Sequence, residues 1–278
     1  MKKFVTDVHN HSTFSFDGEA SLKEMTQAAQ EKGVAFYGMA EHVDYDALCR
    51  GDEALQPYID GEAYFHEARH LQEDYAGVMN VLVGAEFAYT DDKRAWEMYR
   101  TFQEKYSPDF IVNSLHSNKD GDYYYQRPYY TETGELRDKK EVYGEYLALI
   151  QRSLCVPYAY DIVGHFGYVV RYAPYADKAL RYGEFSKEID GILLAVIAQG
   201  KILEVNSSNN GGVGWTLPDR DILQRYYELG GRKISYASDA HTTDRIVTYR
   251  ERTVEILKDI GFTHITVPCK GEHIEVEL

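Results

Sequence analysis

The sequence predicts an α/β fold, a distorted (β/α)7 barrel with a metal site at the C-terminal ends of its strands, and three observations carry that expectation. Apolar, strand-like runs alternate with helix-like segments along the chain, the pattern of a parallel sheet covered by helices. Seven strand units can be counted, one fewer than in a regular eight-stranded barrel. Metal-competent side chains follow the C-terminal ends of most of these runs, the edge where barrels place their chemistry. No Pro/Gly/Ser linker, low-complexity segment or short repeat divides the 278 residues. They are therefore read as one domain, 1–278, long enough to bury a core without staples.

The elements follow in order. Residues 4–9 form a short apolar strand. Ser21-Leu22-Lys23-Glu24 is a capping box, and the helix it opens runs to about Lys32 and stops at Gly33. Residues 34–40 make the second strand, ending at Glu41-His42. Residues 61–75 are helix-prone, and 78–87 form a third strand with Glu86 near its end. Helical pattern covers 94–105 and strand pattern 109–115, ending at His116. A helix over 139–152 precedes a strand at 161–164, ending at His165. A helix over 185–199, a strand over 201–206, a helix over 219–229 and a strand over 232–238 follow, the last ending at Asp239. Residues 263–267 and 273–277 alternate like a hairpin around Lys270-Gly271. The polar stretches 43–60, 117–138 and 168–184 are expected as long loops on the ligand face. The second holds Tyr123-Tyr124-Tyr125 and Tyr129-Tyr130, suited to a lid or pocket wall.

Composition narrows the function. The net charge of −15, from 30 basic and 45 acidic residues, argues against a nucleic-acid or anionic membrane surface but not against a small phosphorylated substrate. The 25 tyrosines supply apolar area with a polar tip, suited to a wet cleft. Cys49, Cys155 and Cys269 are widely spaced and form no Cys-x-x-Cys, as in a reduced, cytoplasmic protein without a disulfide framework or thiolate site. Met1-Lys2-Lys3-Phe4 does not open a signal peptide. No stretch approaches the roughly 18 apolar residues of a membrane span.

In Asp7-Val8-His9-Asn10-His11, side chains two apart share a face of a strand. His9 and His11 can therefore reach one cation, with Asp7 as a third ligand or an orienting acceptor. Asp17, His42, Glu86, His116, His165, Asp239 and His241 complete a set of nine nitrogen and oxygen ligands holding six of the ten histidines. Such a set suits Zn, Mn or Fe. Nine ligands exceed one tetrahedral ion and fit two or three bridged ions. His66 and His70, four apart on a helix, are expected at the surface or in a lid, and His264 and His273 in structural positions. Clustered divalent ions polarise a phosphoryl oxygen and activate water, so no protein nucleophile is required. Neither a Gly-x-Ser-x-Gly elbow nor a P-loop glycine pattern occurs. Arg171, six residues after His165, is placed on the phosphate, and Glu41 and Asp44 against a cationic amine or imidazole of the substrate.

His9-x-His11, Glu41-His42, Glu86, His116, His165 and Asp239-x-His241 together resemble the polymerase-and-histidinol-phosphatase (PHP) superfamily over nearly the full length. Asp7-x-His9-x-His11-Ser12, Ser15-x-Asp17-Gly18, Asn113-Ser114-Leu115-His116 and Ser238-Asp239-Ala240-His241 are most similar to its histidinol-phosphate phosphatase branch. The resemblance implies a trinuclear site. His9, His11, Glu86 and Asp239 would hold the first metal. Glu86 would bridge to a second, completed by His116 and His165. Asp17, His42 and His241 would hold the third; some relatives have His at the position of Asp17. Asp17, Glu86, Asp239 and His241 form the expected catalytic set, and L-histidinol phosphate is the expected substrate. The alternatives are a PHP phosphoesterase for another small phosphate or a nucleotide, and a metal-binding barrel without catalysis. An amidohydrolase, which usually needs a bridging lysine at a strand end, and a proofreading nuclease, which needs a basic track, fit less well.

Overall fold

The computed structural model describes residues 5–51, 58–208 and 213–278. The N-terminal tetrapeptide, which includes the first residue of the first expected strand, and residues 52–57 of the first expected loop lie outside the described residues.

Seven parallel strands form one sheet in sequence order: β1 (Val5–Asp7), β2 (Val34–Val43), β3 (Asn80–Ala88), β4 (Ile111–Ser114), β5 (Ile162–Val163), β6 (Ile202–Asn206) and β7 (Ile234–Ala237). The two outer strands meet. Val8 N donates to Tyr236 O at 3.3 Å, Asp239 N to His9 O at 3.0 Å and His11 N to Ala240 O at 2.9 Å. The barrel is thus nearly closed, with few edges left unpaired. Gly38 permits this curvature, because a Cβ there would stand 2.5 Å from the Val8 carbonyl oxygen.

Helices cover the barrel: α1 (Leu22–Glu31), α2 (Tyr45–Arg50), α3 (Gly61–Asp74), α4 (Lys93–Tyr106), α5 (Lys139–Ser153), α6 (Ser186–Ala198), α7 (Arg220–Glu228) and α8 (Arg250–Ile260). α1 begins as its sequence requires, with Ser21 Oγ accepting from Glu24 N and Glu24 reaching back to the Ser21 backbone. It buries Leu22, Met25 and Ala29 on one face. Full burial of each large apolar side chain contributes about 1.5–3 kcal/mol. β3 is buried continuously from Val81 to Ala88, as a strand covered on both faces must be. An antiparallel hairpin, β8 (His264–Cys269) with β9 (Glu272–Glu277), follows the barrel.

Two helices depart from the sequence expectation. α2 occupies part of the stretch expected as loop. α8 was not anticipated, although it buries Thr253, Ile256, Leu257 and Ile260 at helical spacing. Its exposed charges, from Glu251 to Asp259, conceal that stripe in the composition. The tyrosines also divide differently. Tyr37, Tyr64, Tyr99, Tyr143, Tyr146 and Tyr226 are fully buried in the core rather than in a cleft. Their hydroxyls find partners there, Tyr99 Oη donating to Ala88 O at 2.6 Å and Tyr64 Oη to Gly84 O at 2.8 Å. Among the described residues no helix is long and apolar enough to cross a membrane.

Candidate metal centre

Every barrel strand contributes to one cluster at its C-terminal end. His9 and His11 follow β1, His42 lies in β2, Glu86 in β3, His116 follows β4, His165 follows β5, Glu204 lies in β6, and Asp239 and His241 follow β7. Glu86 is the centre. Its Oε2 stands 2.8 Å from His42 Nδ1, 3.4 Å from His9 Nε2 and 3.7 Å from His11 Nε2. Its Oε1 stands 2.9 Å from His165 Nε2 and 3.2 Å from His116 Nε2. Asp239 Oδ1 lies 3.3 Å from His11 Nε2. Asp17 joins two more imidazoles, 3.6 Å from His42 Nε2 and 3.2 Å from His241 Nε2. The structure therefore brings together all nine residues singled out as ligands.

A cation fits this arrangement. His9 Nε2, His11 Nε2, His42 Nδ1, His241 Nε2 and Glu86 Oε2 are buried without a hydrogen-bond partner. Each such atom costs about 1–3 kcal/mol if left unsatisfied. Ligand atoms of His9/His11/Glu86, of His42/Glu86/His116 and of His11/His42/His241 lie within 4.8 Å of one another. Five imidazoles around one carboxylate form a divalent metal site of the nitrogen/oxygen type.

Electrostatics agree with that donor set. Burial alone would raise the Glu86 carboxyl, yet His9, His116 and His42 hold it well below the usual carboxylate range. Asp239 is likewise held low against burial, by His11, His9 and Arg171. Burial, with His241 and His42 adding, pushes His11 down to about 3 and keeps it a neutral donor. Burial opposes charge on His116 as well, but Glu86 outweighs it and raises the imidazole to about 9. Asp239 adopts φ 53°, unusual for a residue other than glycine. Such strain is tolerated where surrounding contacts impose it, as at functional sites.

The cluster floors a cavity of about 540 Å³ whose walls include Phe16, Asp44, Asp122, Tyr124, Tyr125, Tyr168, Arg171, Tyr172 and Arg245. Arg171 lines the cavity beside the cluster. Its guanidinium lies 4.9 Å over the Tyr168 ring and 3.3 Å from Asp239 Oδ2, and it donates to Ser208 Oγ. Asp44 lines the cavity beside His42, and burial pushes its carboxyl up to about 7 against the pull of His42. Of the tyrosine-rich loop, Tyr124 and Tyr125 form wall, while Tyr123 and Tyr129 are buried beneath.

One expectation is corrected. Glu41 does not line the cavity. It is fully buried and accepts from Ser12 N at 3.0 Å, Ser12 Oγ at 2.6 Å and Ser15 Oγ at 2.5 Å. Neighbours along a strand face opposite ways, so adjacency to His42 placed Glu41 on the other face. It holds the loop whose Ser15 Oγ meets His11 Nδ1 at 3.1 Å. Of the two roles left open to Asp7, it acts as an acceptor: it accepts from Ser238 N at 2.9 Å and Ser238 Oγ at 2.6 Å, tying β1 to the turn after β7. His66, His70 and His264 are exposed and His273 half-buried, as outlying histidines should be.

Glu204 escaped the sequence reading. It is fully buried, meets His9 Nδ1 at 2.7 Å and accepts from His165 N at 2.9 Å. A lone carboxylate inside the apolar run Ile202-Leu203-Glu204-Val205 was its signal. It fixes the His9 ring so that Nε2 faces Glu86, the usual partner of a ligating imidazole. Glu204→Gln should weaken metal binding about 10- to 100-fold, as read by competition with a chromogenic chelator. Unchanged affinity would show that His9 is oriented without it.

The PHP domain family matches residues 7–208. A probable histidinol-phosphatase of Clostridium acetobutylicum is 28% identical over 244 residues, covering 87% of this chain and 88% of that protein. The histidinol-phosphatase of Lactococcus lactis is 27% identical, with 94% and 93% covered. Its crystal structure, complexed with zinc, L-histidinol and phosphate, superposes with a TM-score of 0.83 at 24% identity, covering 97% of this chain and 98% of that one. A putative histidinol phosphatase of Listeria monocytogenes superposes with a TM-score of 0.76 at 20% identity, with 88% and 99% covered. With the match spanning β2 to β6 and seven of the nine residues singled out as ligands, this chain belongs to the PHP domain family.

Proposed function

We propose that this chain is a metal-dependent phosphomonoesterase that hydrolyses L-histidinol phosphate to L-histidinol and phosphate, as a cytoplasmic enzyme of histidine biosynthesis. The observation that carries the reading is the ring of imidazoles around Glu86, with unpartnered ring nitrogens on the floor of a cavity that also holds a guanidinium. The names of the full-length relatives supply the substrate. Residues 1–278 act as one catalytic barrel, since Asp239 and His241 come from the end of the strand that closes on β1.

Three divalent ions, with zinc as the leading candidate, fit the ligands. His9, His11, Glu86 and Asp239 would hold one; Glu86, His116 and His165 a second; Asp17, His42 and His241 a third. When bound, such ions neutralise phosphate charge and lower the pKa of water. The protein's own groups supply binding and orientation. Arg171 Nε is buried and unpartnered, and is offered to a phosphoryl oxygen. The Arg171–Asp239 pair fixes that guanidinium, so little freedom is lost when phosphate arrives. Asp44 meets the cationic part of the substrate.

The test is a comparison of L-histidinol phosphate, an aryl phosphate and a nucleoside monophosphate on enzyme of known metal content. Histidinol phosphate should be preferred in kcat/KM by at least about tenfold, which is only about 1.4 kcal/mol of transition-state binding. Equal rates on all three would remove the substrate assignment and leave a phosphoesterase. Metal analysis of the same sample should give two to three equivalents.

A further inference from the structure

We propose that His66, His70 and Glu73 form a second metal site, on the outer face of α3, which takes a divalent first-row ion such as zinc or copper. None of the three lines the central cavity, so the site is separate from the cluster around Glu86. It begins from a sequence pattern. His66-Glu67-Ala68-Arg69-His70 is a His-Glu-x-x-His run, and all five residues lie inside α3. Histidines four apart on a helix stand one above the other on one face, the spacing at which two imidazoles share an ion. Glu73 follows one turn later. At 3.6 residues per turn, the three side chains fall within about 60° of one another around the helix axis.

The helix presents these groups to solvent and holds them in place. Asp60 Oδ1 caps α3 by accepting from Ala63 N at 3.1 Å. Tyr64, Phe65, Ala68 and Leu71 are buried, while His66, His70 and Glu73 are exposed. The two imidazoles already meet, with ring centroids 4.6 Å apart and planes at 72°. Two nitrogens on one tetrahedral ion stand about 3.3 Å apart at the usual Zn–N length, a separation within reach of rings so placed. Neither ring, nor the Glu73 carboxylate, has a hydrogen bond or ion pair among the described residues. Arg69, the one cation in the run, is drawn away, donating to Asp109 Oδ1 at 2.7 Å and to Ser107 O at 2.8 Å. Two acids flank the histidines by about a turn, and Glu73 is the ligand. Helical side chains lean towards the N-terminus, so Glu73 leans towards His70 and Glu62 away from His66. Glu62 is also held by Lys105 at 3.2 Å. Imidazole with carboxylate suits zinc and copper. Glu67 lies about 100° round the helix from His66, and the site opens on solvent rather than on the cavity. The run therefore serves binding and not the peptide hydrolysis that its pattern supports in a cleft.

The experiment is equilibrium dialysis against zinc of enzyme already loaded at its central cluster. Wild type should take up one further equivalent, which a mild chelator removes while the central ions stay. Glu73→Gln keeps an oxygen but removes its charge and should weaken that uptake roughly 10- to 100-fold, and His66→Ala and His70→Ala should weaken it by more. All three variants should keep the central ions and the wild-type kcat/KM, which shows that the lost ion is not one of the cluster. A wild type that takes up no further ion would overturn the site. So would a His66→Ala/His70→Ala double variant that takes it up with unchanged affinity, or a loss in Glu62→Gln that Glu73→Gln does not share. Each of these results would leave the phosphatase reading intact.

Discussion

Glu86→Gln should abolish phosphatase activity, with a loss in kcat/KM well beyond the roughly 10- to 100-fold that follows a change in a group merely supporting a ligand. Oε2 of Glu86 faces His9, His11 and His42, and Oε1 faces His116 and His165. The substitution keeps the volume but removes the one negative charge shared by five imidazoles, and turns half of the carboxylate into a donor pointed at other donors. Metal content of the purified variant should drop by at least one equivalent, with far-ultraviolet circular dichroism unchanged. Near-normal activity with full metal content would show that the bridging carboxylate lies elsewhere.

Stripping the metals should abolish activity and lower the melting temperature. A ligand that binds only the folded state stabilises it by about 2.7 kcal/mol at 100 times its Kd. For a chain of this size each kcal/mol shifts the midpoint by about 2–4 °C, so a drop on the order of 5–10 °C is expected and should reverse on adding zinc. The gap should also widen with pH. Glu86 raises His116 to about 9 in the metal-free fold, against the burial that lowers it. A raised folded pKa contributes stability that is present below the unfolded value near 6.5 and is lost as pH rises through the folded one. The stripped protein thus loses stability between about pH 6.5 and 9. The loaded protein binds its metal more tightly over the same window, because fewer protons compete for the imidazoles. A gap that narrows from pH 6.5 to 9 would contradict the assignment of His116 as a ligand.

The barrel and the metal cluster were legible in the sequence for one physical reason. Strand ends carry polar side chains that no apolar packing explains, and they recur at six of the seven strand ends. What was not legible depended on direction rather than identity. Glu41 and His42 are neighbours in sequence, yet the pleat sends one to the cavity and the other beneath it. Glu204 lies inside an apolar run, so only the folded barrel shows that it stands under His9. Asp122 lies in a polar loop whose composition hides a fixed hairpin. Arg171 stands in the cavity wall, one short 3-10 turn, Tyr168–Val170, beyond His165.

The join between β1 and β7 has a mechanical meaning. Among the described residues three backbone hydrogen bonds link the β1 segment, Val8 to His11, with the β7 segment, Tyr236 to Ala240. The same join carries His9 and His11 on one lip and Asp239 and His241 on the other, with His11 Nε2 and Asp239 Oδ1 facing each other at 3.3 Å. An ion held by both lips, as proposed, would be a clasp on the barrel's seam. Catalysis and closure of the fold would then share a fastener, added to the hydrogen bonds that already join the first and last barrel strands.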